Sequence, residues 1–554
     1  MSWIISSVDI SFMRLSKYEK WYYHSDIITE VQGKMVLTEG DFYNHKHCFV
    51  DKTLTFFDTV DGSFAIAIFS DDSILCASDC VCTRNIYYYQ TGNFYCVSSS
   101  LQWLVNALYD RAYVALDSAY LYTYPIYGDK HYRTPYRGVC KLPAGYCIRM
   151  ADSISIFPYL NFDLESEFAK RNIGNRDTAE YAVEILKTHC GEITEKYKNK
   201  TILTEISGGV DSALLTGLLY EEGRKKSIEL NGYSYTYQNQ IVGNELLFMK
   251  DVAKKNKIAN HMITNLGIDS YRVSEQHETA FPSISILNAG LLHKTRDAVS
   301  LADAIVSGQG GDICIGDEYN AFAAGRENVF VSAYCDSMYC EKFILKTLMD
   351  KYIFPICFGN IATYQRINST HCYPVWITNK MQFVANHTIN GAFRRICQNT
   401  KSYGMRMVLF DYLDYNGLVS DDIIRYICFF PYFSRDMLVL GRVFNNGYAE
   451  SGIYRYNIKR AARKYLPLSV YLRKGKSRMD AVCQQAFIRN EQVYRDIVNE
   501  SVLLKKMSIN KEQVWSEMQR IIDGKNSDVN YSLRLLSLLI WHEEIRDKYP
   551  TERL

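Results

Sequence analysis

Two glycine turns constrain this chain more than anything else in it. The apolar run "TILTEI" (201–206) breaks into "SGGVDS" (207–212), and "DAIV" (303–306) breaks into "SGQGGD" (307–312). A strand that ends in a glycine turn and restarts with helical spacing is the building unit of a parallel sheet. The surroundings keep the alternation. "TAEYAVEILKTHCGEITEKY" (178–197) has helical spacing, a helix is expected from about Ser212, and "IELNGYSYTY" (228–237) is strand-like. "NELLFMKDVAKKN" (244–256) again spaces as a helix and "HMITNL" (261–266) as a strand. This order predicts a doubly wound α/β domain, with a mostly helical continuation beyond about residue 315.

The first third reads differently. "GSFAIAIFS", "SILCAS", "NIYYYQ" and "NFYCVSSS" are short β-favouring runs broken by Asp, Gly and Asn. "KLPAGYCIRM" followed by "ISIFPYL" reads as a turn between two further strands, and the polar stretch 162–177 reads as a linker. We therefore expect a β-rich domain over 1–165 and an α/β domain over 178–554, consistent with a length too great for one core.

Composition excludes some partners. A net charge of +2 offers no electrostatic ground for nucleic acid binding. No apolar run reaches the ~20 residues of a membrane span, and the opening stretch, with Asp9 inside it, does not read as a secretion signal. Sixteen scattered cysteines then read as reduced thiols, which implies a cytoplasmic protein. Cys76, Cys80 and Cys82 lack a second ligand group at zinc spacing and are read as buried thiols. Only His45 and His47 lie close among the histidines, and no metal site follows from them.

The turns themselves carry chemistry. Glycines admit a close anion, and the amides that open the following helix point at it. A Walker loop adds a lysine for the β- and γ-phosphates, and "SGGVDS" has none. It offers the hydroxyls of Ser207 and Ser212, the backbone of Gly208 and Gly209, and the carboxylate of Asp211. A carboxylate beside phosphate calls for a cation between them, and Mg²⁺ takes one or two carboxylates plus phosphate oxygens. The second turn repeats the arrangement with Ser307, Gly308, Gly310 and Asp312. Two such strand ends facing one crevice would let Asp211 and Asp312 share Mg²⁺. "YSYTY" (233–237), ending the strand beside the first loop, is expected to line an adenosine pocket.

"SGGVDS" resembles the pyrophosphate loop of the ATP pyrophosphatases, and its pairing with "SGQGGD" resembles the asparagine synthetase family. "DGSFAIAIFSDDSILCASDCVCTRNIYYY", "GVCKLPAGYCIRM", "GNELLFMKDVAKKNKIANHMI" with Glu245, and "KYLPLSVYLRKGKS" extend the resemblance over most of the chain. It implies a fold with an amidotransferase-like (Ntn-type) αββα N-terminal domain ahead of the ATP pyrophosphatase domain. It implies ATP and Mg²⁺ as cofactors, cleavage of ATP to AMP and pyrophosphate, and adenylation of a substrate carboxyl. It places a catalytic lysine at Lys476, with Lys474 as the alternative, beside catalytic Asp211 and Asp312.

Three departures narrow the expectation. Position 2 holds Ser2 where the glutamine-dependent enzymes have a nucleophilic cysteine, so glutaminase activity is not expected. Gln309 stands where asparagine synthetases have an acidic residue and the β-lactam synthetases a basic-dyad tyrosine; a carboxamide cannot deprotonate an amine. Ile313 replaces a glutamate after Asp312. This pattern resembles the lasso-peptide macrolactam synthetases. Their likeness implies adenylation of a Glu or Asp side chain of a short precursor peptide and attack by its own N-terminal amine, alongside a leader protease partner. A small-molecule amide ligase, either ammonia-dependent asparagine synthetase or β-lactam synthetase-like, is the alternative. A non-enzymatic biosynthetic scaffold and an RNA-modifying pyrophosphatase fit the motifs and the charge less well.

Overall fold

The computed structural model of the chain describes residues 2–8, 15–18, 20–31, 34–42, 61–70, 72–111, 113–160, 162–163, 177–237, 245–265, 280–284, 287, 294–295, 297–300, 302–315, 345, 348–353, 361, 373–401, 403–413, 427–441, 455–473, 480–525 and 528–548. The molecule is mixed α/β, with two antiparallel sheets, one parallel sheet and many helices.

The N-terminal part is two six-stranded sheets packed face to face. One is built on Trp3–Ser6 paired antiparallel with Trp21–Ser25 and Phe94–Ser98. The other is built on Gly62–Phe69 between Lys34–Phe42 and Ile74–Ser78. Alternation explains the packing: Trp3, Ile5 and Val97 of the first sheet meet Leu37, Ala65, Ala67 and Ile148 of the second, all fully buried. The helix Leu101–Tyr109 lies against strands of the first sheet, capped by Ser100, whose side chain accepts the Trp103 amide.

The parallel sheet has the order Asn260–Asn265, Glu229–Tyr237, Thr201–Glu205, Ala304–Val306, Cys428–Phe429. In chain order that is third, second, first, fourth, fifth, so the direction of winding reverses between Thr201–Glu205 and Ala304–Val306. Ile202, Leu203, Ile305 and Val306 are buried, as parallel strands covered on both faces require. The edge strand Cys428–Phe429 lies inside the apolar run Ile427–Phe433, falls in the stretch expected to be mostly helical, and touches the second N-terminal sheet. The helix Val210–Gly223 starts two residues before the expected Ser212. The expected linker begins inside the packed body: Phe162 is fully buried and Asp163 accepts from Thr400 Oγ1 at 2.5 Å and from the Lys401 amide. Among the described residues no helix is long and apolar enough to cross a membrane.

Candidate active site

Both glycine turns emerge at the carboxyl ends of the two strands that flank the winding reversal, and they pack against each other. A Cβ on Gly308 would lie 3.0 Å from the Ser212 amide nitrogen, and one on Gly311 would lie 2.5 Å from Asp211 Cγ. Glycine is therefore a steric condition of the contact. Gly208 and Gly310 are also in the left-handed region, with φ of 80° and 86°.

The first loop closes on its own hydroxyls. Ser212 Oγ accepts the Ser207 amide at 3.1 Å, and the two serine hydroxyls lie 3.0 Å apart. Gly209 caps the helix Val210–Gly223 without a side chain, so the amides of its first turn meet no capping side chain and border the cavity. That cavity, about 210 Å³, is lined by Glu205, Ser207, Asp211, Gln309, Asp312 and Arg473 among others.

Asp211 and Asp312 are brought together through a third residue. Arg455 donates one guanidinium nitrogen to Asp211 Oδ1 and the other to Asp312 Oδ1. The Arg455 side chain is fully buried while those of Asp211 and Asp312 are 18% and 37% exposed, so the acids reach from the buried cation toward the cavity. Arg455 sits just before the helix Tyr456–Ala461 at φ 51°, an uncommon conformation for a residue with a side chain. Nothing in the spacing of the sequence singles it out, 143 residues beyond Asp312.

A second pair braces the first loop. Glu245 receives both guanidinium nitrogens of Arg473, one of them at 2.6 Å, and Arg473 also donates to the Gly208 carbonyl at 3.2 Å. In the fold Arg473 lines the cavity. Lys474 and Lys476 lie outside the described residues, as do His45 and His47.

Behind the second loop stands Glu205, the last residue of the central strand. Its carboxylate accepts from Ser307 Oγ at 2.5 Å, and burial pushes its pKa above the usual carboxylate range while the serine bond opposes the shift. The sequence signal that marks Glu205 is a charge at the end of the apolar strand in "TILTEI". The strand Glu229–Tyr237 flanks the first loop, with Ser234 Oγ donating to the Ile206 carbonyl at 2.7 Å, but residues 233–237 do not line this cavity.

The donor set suits Mg²⁺ that arrives with phosphate. Among the described residues no group of three or more His, Cys, Asp or Glu gathers; two carboxylates beside an amide-rimmed cavity match a cation that keeps water and phosphate oxygens as its other ligands. Elsewhere, Cys76, Cys80 and Cys82 are buried thiols. Cys80 donates to the Phe433 carbonyl and Cys82 to the Leu142 carbonyl, and burial pushes all three pKa values up. Ser2 is 6% exposed and its amide donates to Asp26 Oδ2 at 2.8 Å.

No family model matches the chain. No curated protein matches it either. Among solved structures it is similar to glutamine phosphoribosylpyrophosphate amidotransferase from B. subtilis complexed with ADP and GMP, at 9% identity and a TM-score of 0.18, over 52% of this chain and 76% of that one. It is also similar to the allosteric regulatory enzyme of purine biosynthesis, at 10% identity and a TM-score of 0.19, over 55% of this chain and 83% of that one. Likeness at this level carries no argument about activity.

Proposed function

We propose that the protein is an ATP-dependent amide ligase that adenylates a carboxyl group and releases AMP and pyrophosphate. The observation that carries the reading is the convergence of two glycine loops at a winding reversal, each presenting an aspartate to one cavity. Amides at the start of Val210–Gly223 bind the phosphates, aided by the helix dipole. Asp211 and Asp312 would hold Mg²⁺, and the cation would supply charge neutralisation for a leaving pyrophosphate. Arg455 fixes the orientation of both carboxylates, and the Glu245–Arg473 pair holds the first loop at its Gly208 carbonyl.

The substrate we propose is a short precursor peptide, whose Glu or Asp side chain is adenylated and closed onto its own N-terminal amine as in lasso-peptide biosynthesis. Support comes from the sequence pattern: Ser2 in place of a nucleophilic cysteine, and Gln309 and Ile313 in the second loop. Lys476 is assigned the stabilisation of developing charge, and a leader protease is the expected partner. The N-terminal sheets are read as an amidotransferase-like domain without glutaminase activity. The test is peptide-dependent exchange of labelled pyrophosphate into ATP. Asp211→Asn and Asp312→Asn should each abolish it, and exchange at the parent rate in either variant would refute the shared-cation arrangement.

A further inference from the structure

Four titratable side chains line the cavity, and three of them are paired. Asp211 and Asp312 are bound to Arg455, and Arg473 is bound to Glu245. The fourth, Glu205, has no ion pair among the described residues; its carboxylate is held by Ser307 alone. Ser307 Oγ also lies 3.3 Å from the Gln309 amide, which donates to it, so the one hydroxyl proton is committed to Glu205. The titratable groups that feel Glu205 are the Tyr233 phenol, opposite it on the adjacent strand, and the Cys428 thiol two strands away, both buried, with pKa values raised chiefly by burial and further by Glu205 itself, while Arg84 opposes the shift at Cys428. Neither supplies a counter-charge. A carboxylate in this setting gains by taking a proton, which is the property a base needs near neutral pH.

Amide formation needs such a group. The amine must lose a proton as it attacks, and the neighbouring Gln309 has no basic site. We propose that Glu205 is the general base of the site, accepting the proton of the attacking amine, with Ser307 as the positioning residue that fixes its carboxylate. This rests on the adenylation reading above. In the step, the lone pair of a neutral amine forms the new carbon–nitrogen bond at the adenylated carbonyl. The N–H electron pair stays on nitrogen as the proton moves to the Glu205 carboxylate. The bond from carbonyl carbon to the AMP oxygen breaks, and its electron pair leaves with AMP. Glu205 then returns the proton to water.

The test separates the two half-reactions. Glu205→Gln keeps the size of the side chain and an acceptor for Ser307 but removes the basicity. The probes are a synthetic peptide with a free N-terminus and one internal Glu or Asp, and, as a substitute nucleophile, hydroxylamine, whose weakly basic nitrogen becomes acidic enough in the adduct to lose its proton to water without a protein base. We expect the variant to keep peptide-dependent pyrophosphate exchange and hydroxamate formation. Ring closure should fall by about 10²–10⁴-fold, and the acid limb of the parent enzyme's pH–rate profile should vanish. Ring closure at the parent rate with an unchanged acid limb would overturn the assignment. So would equal loss of exchange and closure, which marks a structural role. Absence of exchange in the parent enzyme would instead overturn the adenylation reading from which the assignment follows.

Discussion

Asp211 and Asp312 are joined through a single guanidinium: Arg455 donates to Oδ1 of each. The two acids lie in the first helical turns after separate glycine loops, so this buried cation ties the halves of the site together. Removing it leaves two like charges facing each other. Breaking a buried ion pair costs about 3–5 kcal/mol; the partly exposed aspartates reduce this, and we expect Arg455→Met to lose about 1–3 kcal/mol in urea unfolding. Adding Asp211→Asn and Asp312→Asn to that variant should restore part of the loss, because the unpaired charges go with it.

Gly311→Ala should damage the site without damaging the fold. The added methyl would sit 2.5 Å from Asp211 Cγ and 2.8 Å from Asp211 Oδ1, so the carboxylate must move off Arg455. ATP-dependent pyrophosphate release should fall by at least about tenfold, the scale of a misplaced catalytic group. Gly391, inside the helix Asn379–Asn399, has open space around its missing Cβ. Gly391→Ala should stabilise by about 0.5–1 kcal/mol and leave activity unchanged, which circular dichroism melts and turnover together would check.

Arg473→Lys removes a planar fork that contacts both oxygens of Glu245 and the Gly208 carbonyl. A single ammonium cannot replace all three contacts. The first loop should loosen, and the KM for ATP should rise by about tenfold, the effect of losing one charge-assisted bond. An unchanged KM would mean that the loop is held by its own serine hydroxyls.

Asp61 links pH to the contact between the two parts of the chain. It accepts the Arg435 amide at 3.0 Å, and burial pushes its pKa up to about 6, opposed by His189 and reinforced by Asp436. The folded value exceeds the unfolded one, so this group's contribution is fully present below about pH 4 and is lost as pH rises through about 6. Asp61→Asn stays neutral throughout. It should match the parent protein near pH 4 and exceed it by on the order of 1 kcal/mol at pH 8, read from unfolding curves at the two pH values.

The order of strands and helices around the turns was legible because period and punctuation act locally. Thr178–Lys196, Thr201–Glu205 and Glu229–Tyr237 lie where apolar spacing and glycine breaks put them. Cys428–Phe429 was not, because an unbroken apolar run such as Ile427–Phe430 carries no period that separates strand from buried helix, and it becomes a strand by pairing with Ala304–Val306. The turn residues of the site could be named from their types alone. Arg455 could not: its role depends on a tertiary approach across 143 residues of sequence, and no local pattern marks that. Glu205 was readable in principle, since a carboxylate at the end of a buried strand needs a reason, and the structure supplies Ser307 as its partner.

The most direct test of the account is to incubate the purified protein with ATP, Mg²⁺ and either a leader-free peptide bearing one internal Glu or Asp, or free aspartate with ammonium. Pyrophosphate and peptide mass are then followed together. The account predicts pyrophosphate release with the peptide alone, matched mole for mole by a peptide product lighter by one water. Release with aspartate and none with the peptide would contradict it.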